Sequence, residues 1–322
     1  MPLVIIGCVA GVCLLFLLGL TLYIYFAAFG RGNNRGDAAT YRIMTGEEYE
    51  RYKETIHSLI DGAKKIPFDP VYTESYDGLR LFGRIYYRKE GAPFHILFHG
   101  YRGNGIRDFS GGLGLALETG DNVLLVDHRA HGESEGRTIT FGAKESRDVL
   151  TWIDYILDRY GKGTPVYLCG VSMGAATVLT AGGLDLPPEV RGIFADCPYS
   201  SPYEIISKTA REMSPLGKLA GPFIRLSARV FGGFDVDSAS AIASAPKLKV
   251  PVTIIHGKAD SFVPTEMSRR IREANPEMIK LVEVDNAPHG MSFLENKELY
   301  VKVFAEHLER CGRSASELNS IL

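Results

Sequence analysis

The first apolar block shows no periodicity at all: from Leu3 to Phe29 not one side chain is charged. As a helix, about 27 residues reach roughly 40 Å, more than the roughly 30 Å of hydrocarbon in a bilayer. The block is predicted to be a single membrane-crossing anchor. A cleaved signal peptide is the competing reading, but only Met1 and Pro2 precede the run, without Lys or Arg, and the run is too long. Cys8 and Cys13 read as small apolar residues of the span. The stretch that follows, GRGNNRGD over Gly30–Asp37, is polar and glycine-rich and reads as a short flexible tether. Arg31 and Arg35 flank the span on this side and only the α-amino group is basic on the other. Positive flanks tend to stay cytoplasmic, which places the remainder of the chain there.

Beyond the tether the pattern becomes periodic. Thr45 and Glu48 have capping-box spacing, and Tyr49, Tyr52, Ile56, Leu59, Ile60 and Ala63 recur at helical intervals. This helix is expected to pack on the main domain, with lipid headgroups as the alternative contact. Val71–Tyr76 and Leu81–Tyr87, joined through Asp77-Gly78, predict an antiparallel hairpin. Short β-rich runs then alternate with helical ones. Phe94–Phe98, Asn122–Val126, Val166–Cys169, Val190–Ala195, Val252–His256 and Lys280–Val284 read as strands, several of them near-continuously apolar. Phe141–Arg159, Met173–Ala181, Thr265–Ala274 and Ser292–Arg310 read as helices.

The expected architecture is therefore α/β, with a mostly parallel sheet and helices on both faces. The organisation that follows is an anchor over 1–30, a linker and juxtamembrane helix over 31–70, and one domain over 71–322. Ser201–Lys247 is far longer than a link between two strands needs, and it reads as a small helical cap inserted at about 201–247.

Composition narrows the picture. With 322 residues, 45% hydrophobic and 23% charged, the chain is neither disordered nor polytopic. A net charge of -2 gives no reason to expect a nucleic-acid partner. The five cysteines show no CxxC spacing, so neither a disulfide framework nor a metal site is expected.

The chemistry concentrates at Gly170-Val171-Ser172-Met173-Gly174, a G-x-S-x-G sequence between a predicted strand and a small-residue helix. In such a turn the hydroxyl stands clear of the backbone, and the first amides of the helix face the anion formed when serine attacks a carbonyl. Ser172 is the expected nucleophile. A serine needs a base, and of eight histidines His289 is best placed, just past the last predicted strand in Ala287-Pro288-His289-Gly290. A carboxylate must orient that imidazole: Asp260, after the strand ending at His256, is the candidate, and Asp196 is its rival. The order Ser, Asp, His is the one associated with G-x-S-x-G enzymes.

On these motifs, over about Val71–Leu308, the chain resembles the α/β-hydrolases, and more narrowly the membrane-anchored bacterial serine hydrolases of the serine-aminopeptidase-like and monoacylglycerol-lipase-like group. The resemblance implies an α/β-hydrolase fold and a triad of Ser172, Asp260 and His289. His99-Gly100-Tyr101-Arg102-Gly103 resembles the superfamily's HG loop, which implies an oxyanion hole from the backbone amides of Tyr101 and Met173. Asp127-His128-Arg129-Ala130-His131-Gly132-Glu133-Ser134 resembles its DxRxHGxS stretch and reads as structural. The implied activity is cleavage of carboxylic esters through an acyl-enzyme, as an esterase or lipase, with no metal or organic cofactor required. A serine peptidase or an acyl thioesterase would use the same residues, and a noncatalytic hydrolase-fold binding protein is the alternative of another class.

The cap adds a substrate expectation. Its many apolar residues suit a small-molecule or lipid-like acyl substrate, although they could equally pack the cap onto the domain. Between Ile205 and Phe234 five basic residues, Lys208, Arg211, Lys218, Arg225 and Arg229, stand against Glu212 alone. That balance suits an anionic membrane surface, with a solvated basic face as the alternative.

Overall fold

The computed structural model describes residues 2–32, 36–318 and 321. Arg35 of the expected basic flank, with Asn33 and Asn34 of the expected tether, lies outside the described residues. Eight strands form one sheet: β1 Asp69–Glu74, β2 Arg80–Tyr86, β3 Phe94–Phe98, β4 Asn122–Asp127, β5 Val166–Val171, β6 Val190–Asp196, β7 Val252–Gly257 and β8 Ile279–Val284. Their order is β1-β2-β4-β3-β5-β6-β7-β8. β1 pairs antiparallel with β2, and β2 antiparallel with β4, while β3 to β8 pair in parallel.

The helices that matter below are α1 Pro2–Ile24, α2 Lys53–Lys65, α3 Glu145–Tyr160, α4 Met173–Gly182, α5 Pro202–Met213, α6 Gly221–Val230, α7 Thr265–Ala274 and α8 Lys297–Arg310. The near-continuous apolar strands are explained by their two faces. Ile96, Leu124, Leu168, Ile193 and Ile254 point to one core with Trp152 and Ile153 of α3 and Leu179 of α4. Leu97, Leu125, Tyr167, Phe194 and Ile255 point to the other, with Phe304 and Leu308 of α8. Successive strand residues face opposite sides, so a strand buried on both has no polar position to show. Each such side chain contributes about 1.5–3 kcal/mol on burial, an upper bound against an extended unfolded chain.

The expected elements shift in four places. The helix expected over Ser292–Arg310 is broken at Asn296, whose extended φ of -145° ends a short helix Ser292–Glu295 and whose side chain caps α8. The helix expected from Phe141 begins at Glu145, because Phe141 and Gly142 take positive φ of 53° and 101°. The buried Glu145 carboxylate satisfies that turn by accepting from the backbone N–H of Thr140 and Gly142, both at 2.8 Å. The expected capping box is not made: Gly46 caps a short helix, Glu47–Glu50, without a side-chain bond, and α2 starts separately at Lys53. The tether is not loose at its start. Arg31 N–H donates to Arg137 at 2.9 Å, Ile139 N–H donates to Phe29 at 2.7 Å, and Gly30 bridges Thr138. Phe29 is fully buried, edge-on to both Phe141 and Phe234.

The insertion between β6 and β7 folds as α5, a short 3-10 turn Pro215–Leu219, α6, and then a short helix Ala241–Ser244 with a 3-10 turn Ala245–Lys247. Ile205, Ile206 and Ile224 pack inward with Phe29, Met173 and Tyr199, so one apolar cluster joins the cap, the end of the N-terminal helix and the residue after Ser172. The basic run is largely paired: Lys208 with Glu212, Arg225 with Asp237, and Arg229 with Asp235.

Candidate active site

β5 ends in a forced turn. Ser172 sits at φ 54°, a region costly for any residue with a Cβ, and this turns the chain sharply from strand into α4. The flanking glycines are required by close approach. A Cβ at Gly170 would lie 2.4 Å from the Gly174 carbonyl carbon, and one at Gly174 would lie 1.9 Å from the Phe98 carbonyl oxygen. A side chain at either position would push the elbow off the sheet.

The loops after β7 and β8 bring the other two residues to the same rim. The Ser172 hydroxyl lies 2.8 Å from His289 Nε2, and His289 Nδ1 lies 2.6 Å from Asp260 Oδ2. With the proton on Nδ1, the imidazole donates to Asp260 and accepts from Ser172. Asp260 is saturated: Oδ2 also accepts from His256 Nε2 at 3.0 Å, and Oδ1 accepts from the Val263 N–H at 2.7 Å. Burial alone would raise its pKa, but the charge of His289 and hydrogen bonds from both imidazoles hold it well below the usual carboxylate range. His256 is fixed in turn by the Ser268 hydroxyl, 2.6 Å from its Nδ1.

Asp196, the rival carboxylate, does not hydrogen-bond the imidazole. Its backbone carbonyl accepts from Ser172 N–H at 2.8 Å, and its side chain faces Ser292 Oγ at 3.4 Å. Burial pushes its pKa up to about 6. Cys197, the next residue, takes φ 48° and places Sγ 4.0 Å from His289 Nε2. Cys197, Asp260 and His289 gather ligand-type atoms within 4.8 Å of one another, the spacing a metal ion could use. The donor set does not suit one: burial pushes the thiol pKa well up, and both Asp260 oxygens already accept N–H bonds.

The loop after β3 carries Tyr101. Among the described residues its backbone N–H has no protein acceptor, and the Met173 N–H, at the first position of α4, has none within the helix. The loop is held from three directions. Asp108 accepts from the Gly100 N–H at 2.8 Å, and His131 Nε2 accepts from the Arg102 N–H at 3.0 Å. The Arg102 guanidinium donates to the carbonyls of Phe26, Ala27 and Gly30 at 3.0–3.1 Å, while the Tyr101 hydroxyl donates to Ala28 at 2.8 Å. Burial pushes the pKa of His99, His128 and His131 down, so this trio is neutral scaffolding.

Several neighbours of the site were not visible in the sequence. Phe262 lies edge-on to His289 with ring centres 5.1 Å apart. Tyr49, buried, lies beside His289. The triad is itself nearly covered, with Ser172 only 9% exposed. Two surface hollows, one of about 520 Å³ lined by Thr73, Tyr76 and Tyr155 and one of about 440 Å³ lined by Leu184 and Pro187, lie away from it.

A family model described as alpha/beta hydrolase fold matches residues 96–217. The chain is 29% identical over 205 residues to the uncharacterized protein YqkD of Bacillus subtilis, covering 62% of this chain and 66% of that protein. It is 30% identical over 141 residues to the thiohydrolase aneE of Aspergillus aculeatus, covering 42% and 41% of the two. Among solved structures it is similar to the Pyrococcus furiosus esterase Pf2001, with a TM-score of 0.63 at 22% identity over 78% of this chain and 93% of that one. The strand order, the match to the family model and the structural neighbours agree: the chain has the α/β-hydrolase fold, and the superfamily resemblance of its motifs holds.

Proposed function

We propose that the protein is a serine hydrolase that cleaves carboxylic esters of apolar, lipid-like acyl groups. The observation that carries this reading is the continuous chain from Ser172 Oγ through His289 to Asp260, with contacts of 2.8 and 2.6 Å. Ser172 Oγ attacks the ester carbonyl and its proton passes to His289 Nε2. Asp260 holds the imidazole in the tautomer that can accept that proton and stabilises the imidazolium. The tetrahedral oxyanion is received by the N–H groups of Tyr101 and Met173, each worth about 3–4 kcal/mol of barrier in comparable sites. Collapse of the intermediate breaks the C–O bond, and His289 returns the proton to the leaving alcohol. Water then repeats the sequence on the acyl-enzyme, releasing the acid and restoring Ser172. None of these steps requires a metal or an organic cofactor.

A thioester is the second substrate to weigh, because one relative is named a thiohydrolase. The N-terminal helix, long and apolar enough to cross a membrane, is proposed to remain as a single-pass anchor. Its support is the burial of Phe29 and the pairing of Gly30 with Thr138, which make the helix end part of the fold. Arg31 and Arg35 are the ground for placing the catalytic domain on the cytoplasmic side. Turnover of p-nitrophenyl esters, acyl thioesters and aminoacyl anilides by the full chain tests the substrate class. The proposal expects the esters to be cleaved fastest; cleavage of the anilides alone would replace it with a peptidase.

A further inference from the structure

We infer that the cap and the end of the N-terminal helix form one bilayer-seated face, through which the site receives its acyl substrate from the lipid. The substrate clause rests on the hydrolase reading above; the seating does not.

The N-terminal helix divides by exposure. All eighteen residues from Pro2 to Gly19 are exposed, whereas Thr21 is buried and Leu20, Ile24 and Tyr25 are partly covered. Eighteen helical residues rise about 27 Å, close to the roughly 30 Å of hydrocarbon. The helix is therefore free over about one bilayer thickness and docked where it would leave it. Tyr23 and Phe26, at 64% and 62% exposure, stand at that level, where aromatic side chains favour the lipid–water boundary.

What the helix docks on is α6 of the cap and the residue that ends it: the Tyr25 and Phe231 rings lie tilted with centres 6.0 Å apart, and Ile24, Tyr25 and Ala28 pack on the cluster containing Ile224 and Ala228. The cap is consequently held at the membrane boundary. Its outer side is unusually apolar, with Met213, Leu216, Leu219, Leu226 and Val230 all exposed. They run along the end of α5, the 3-10 turn and α6, and exposed apolar groups gathered in one segment mark a contact surface. Of the five cap cations that suggested a membrane, three are neutralised by carboxylates. Arg211 and Lys218, exposed and without a carboxylate partner among the described residues, flank the Met213–Leu216 tip. An apolar tip between two free cations suits an anionic lipid surface, continuous with the span beside it. The inner side of the same cap packs on Met173, next to Ser172, so the path from lipid to nucleophile is one layer of helix thick.

The test uses the full chain in vesicles of phosphatidylcholine and phosphatidylglycerol with brominated acyl chains, which quench tryptophan on contact. The single native tryptophan, Trp152, is 1% exposed in the core and supplies a constant background. A tryptophan placed beside the tip by Leu219→Trp, on the same exposed apolar segment, is expected to lose about half or more of its added emission. One placed by Leu184→Trp, after α4 at the opposite end of the sheet, is expected to keep it. Equal quenching at both positions, or at neither, overturns the seating. A second arm uses Leu216→Glu with Leu219→Glu, neither of which touches the triad. Hydrolysis of an ester embedded in the vesicles is expected to fall about tenfold while a soluble short-chain ester is cleaved at the original rate. An equal fall on both substrates overturns the lipid route. Failure of the hydrolase reading is distinct: the unaltered chain would cleave neither ester, and the quenching pattern would stand.

Discussion

Two regions of this molecule spend their apolar residues differently. In the strands under Ser172 the large apolar side chains from Phe94 to Ile255 are buried between two helical layers, with only Val171 at the end of β5 partly open. In the cap, Ile205 and Ile224 are enclosed but Leu216, Leu219 and Val230, a few residues away, stand open. The first region is explained by the fold alone; the second is the face proposed to meet lipid. The contrast also separates what positions the nucleophile from what brings substrate to it.

The largest effect should come from His289→Ala, which removes the base. The kcat is expected to fall by about 10⁴-fold or more with vesicle seating unchanged, measured by ester turnover beside flotation of the same preparation. Loss of both together would tie the two regions more closely than the geometry does.

Gly174→Ala tests the enclosed region. Its Cβ would fall 1.9 Å from the Phe98 carbonyl oxygen, a backbone atom with no way to yield. Destabilisation of about 3 kcal/mol or more is expected in denaturant unfolding. A change below about 1 kcal/mol would mean that the elbow is slack.

Asp196→Asn gives a pH signature. Burial raises the Asp196 pKa from 3.8 to about 6, so the folded state holds this proton to higher pH than the unfolded chain does. Its contribution to stability is fully present below 3.8 and is lost as pH rises through about 6. Asp260 runs the other way, with a depressed pKa whose contribution is present above 3.8 and lost only in stronger acid. The Asn variant is expected to be more stable at pH 7 by about 2 kcal/mol and to lose part of the decline between pH 4 and 6. Parallel pH profiles for variant and parent would contradict it.

Arg102→Ala should have the smallest effect and joins the two regions. Without the guanidinium the loop bearing Tyr101 loses its bonds to the Phe26, Ala27 and Gly30 carbonyls. A fall in kcat of about threefold to tenfold with KM unchanged is expected, partly restored by Arg102→Lys. A purely structural role would instead lower stability and leave the kinetics of the folded fraction intact.

Much of this was legible before any coordinates. The strands announce themselves because burial on two faces removes polar positions, and the elbow because Gly170 is required by backbone contact within its own turn, while Gly174 is required by the Phe98 carbonyl of the neighbouring strand. The capping-box spacing of Thr45 and Glu48 misled, since Gly46 takes the cap in a short helix that tertiary packing of Tyr49 decides. Arg102 on the Phe26 and Gly30 carbonyls, His256 behind Asp260 and Cys197 beside His289 are juxtapositions made by folding. No periodicity or spacing encodes them. The GRGNNRGD stretch read as a tether because composition reports flexibility, while the bridge from Gly30 to Thr138 depends on a strand-like partner more than a hundred residues away.

The most direct measurement is reaction of the full chain with a fluorophosphonate, followed by intact mass and peptide mapping. One adduct on the Ser172 peptide, absent from Ser172→Ala and strongly slowed in His289→Ala, is the predicted result. An adduct that persists in Ser172→Ala, or none in the parent, would contradict the assignment of Ser172 as the nucleophile.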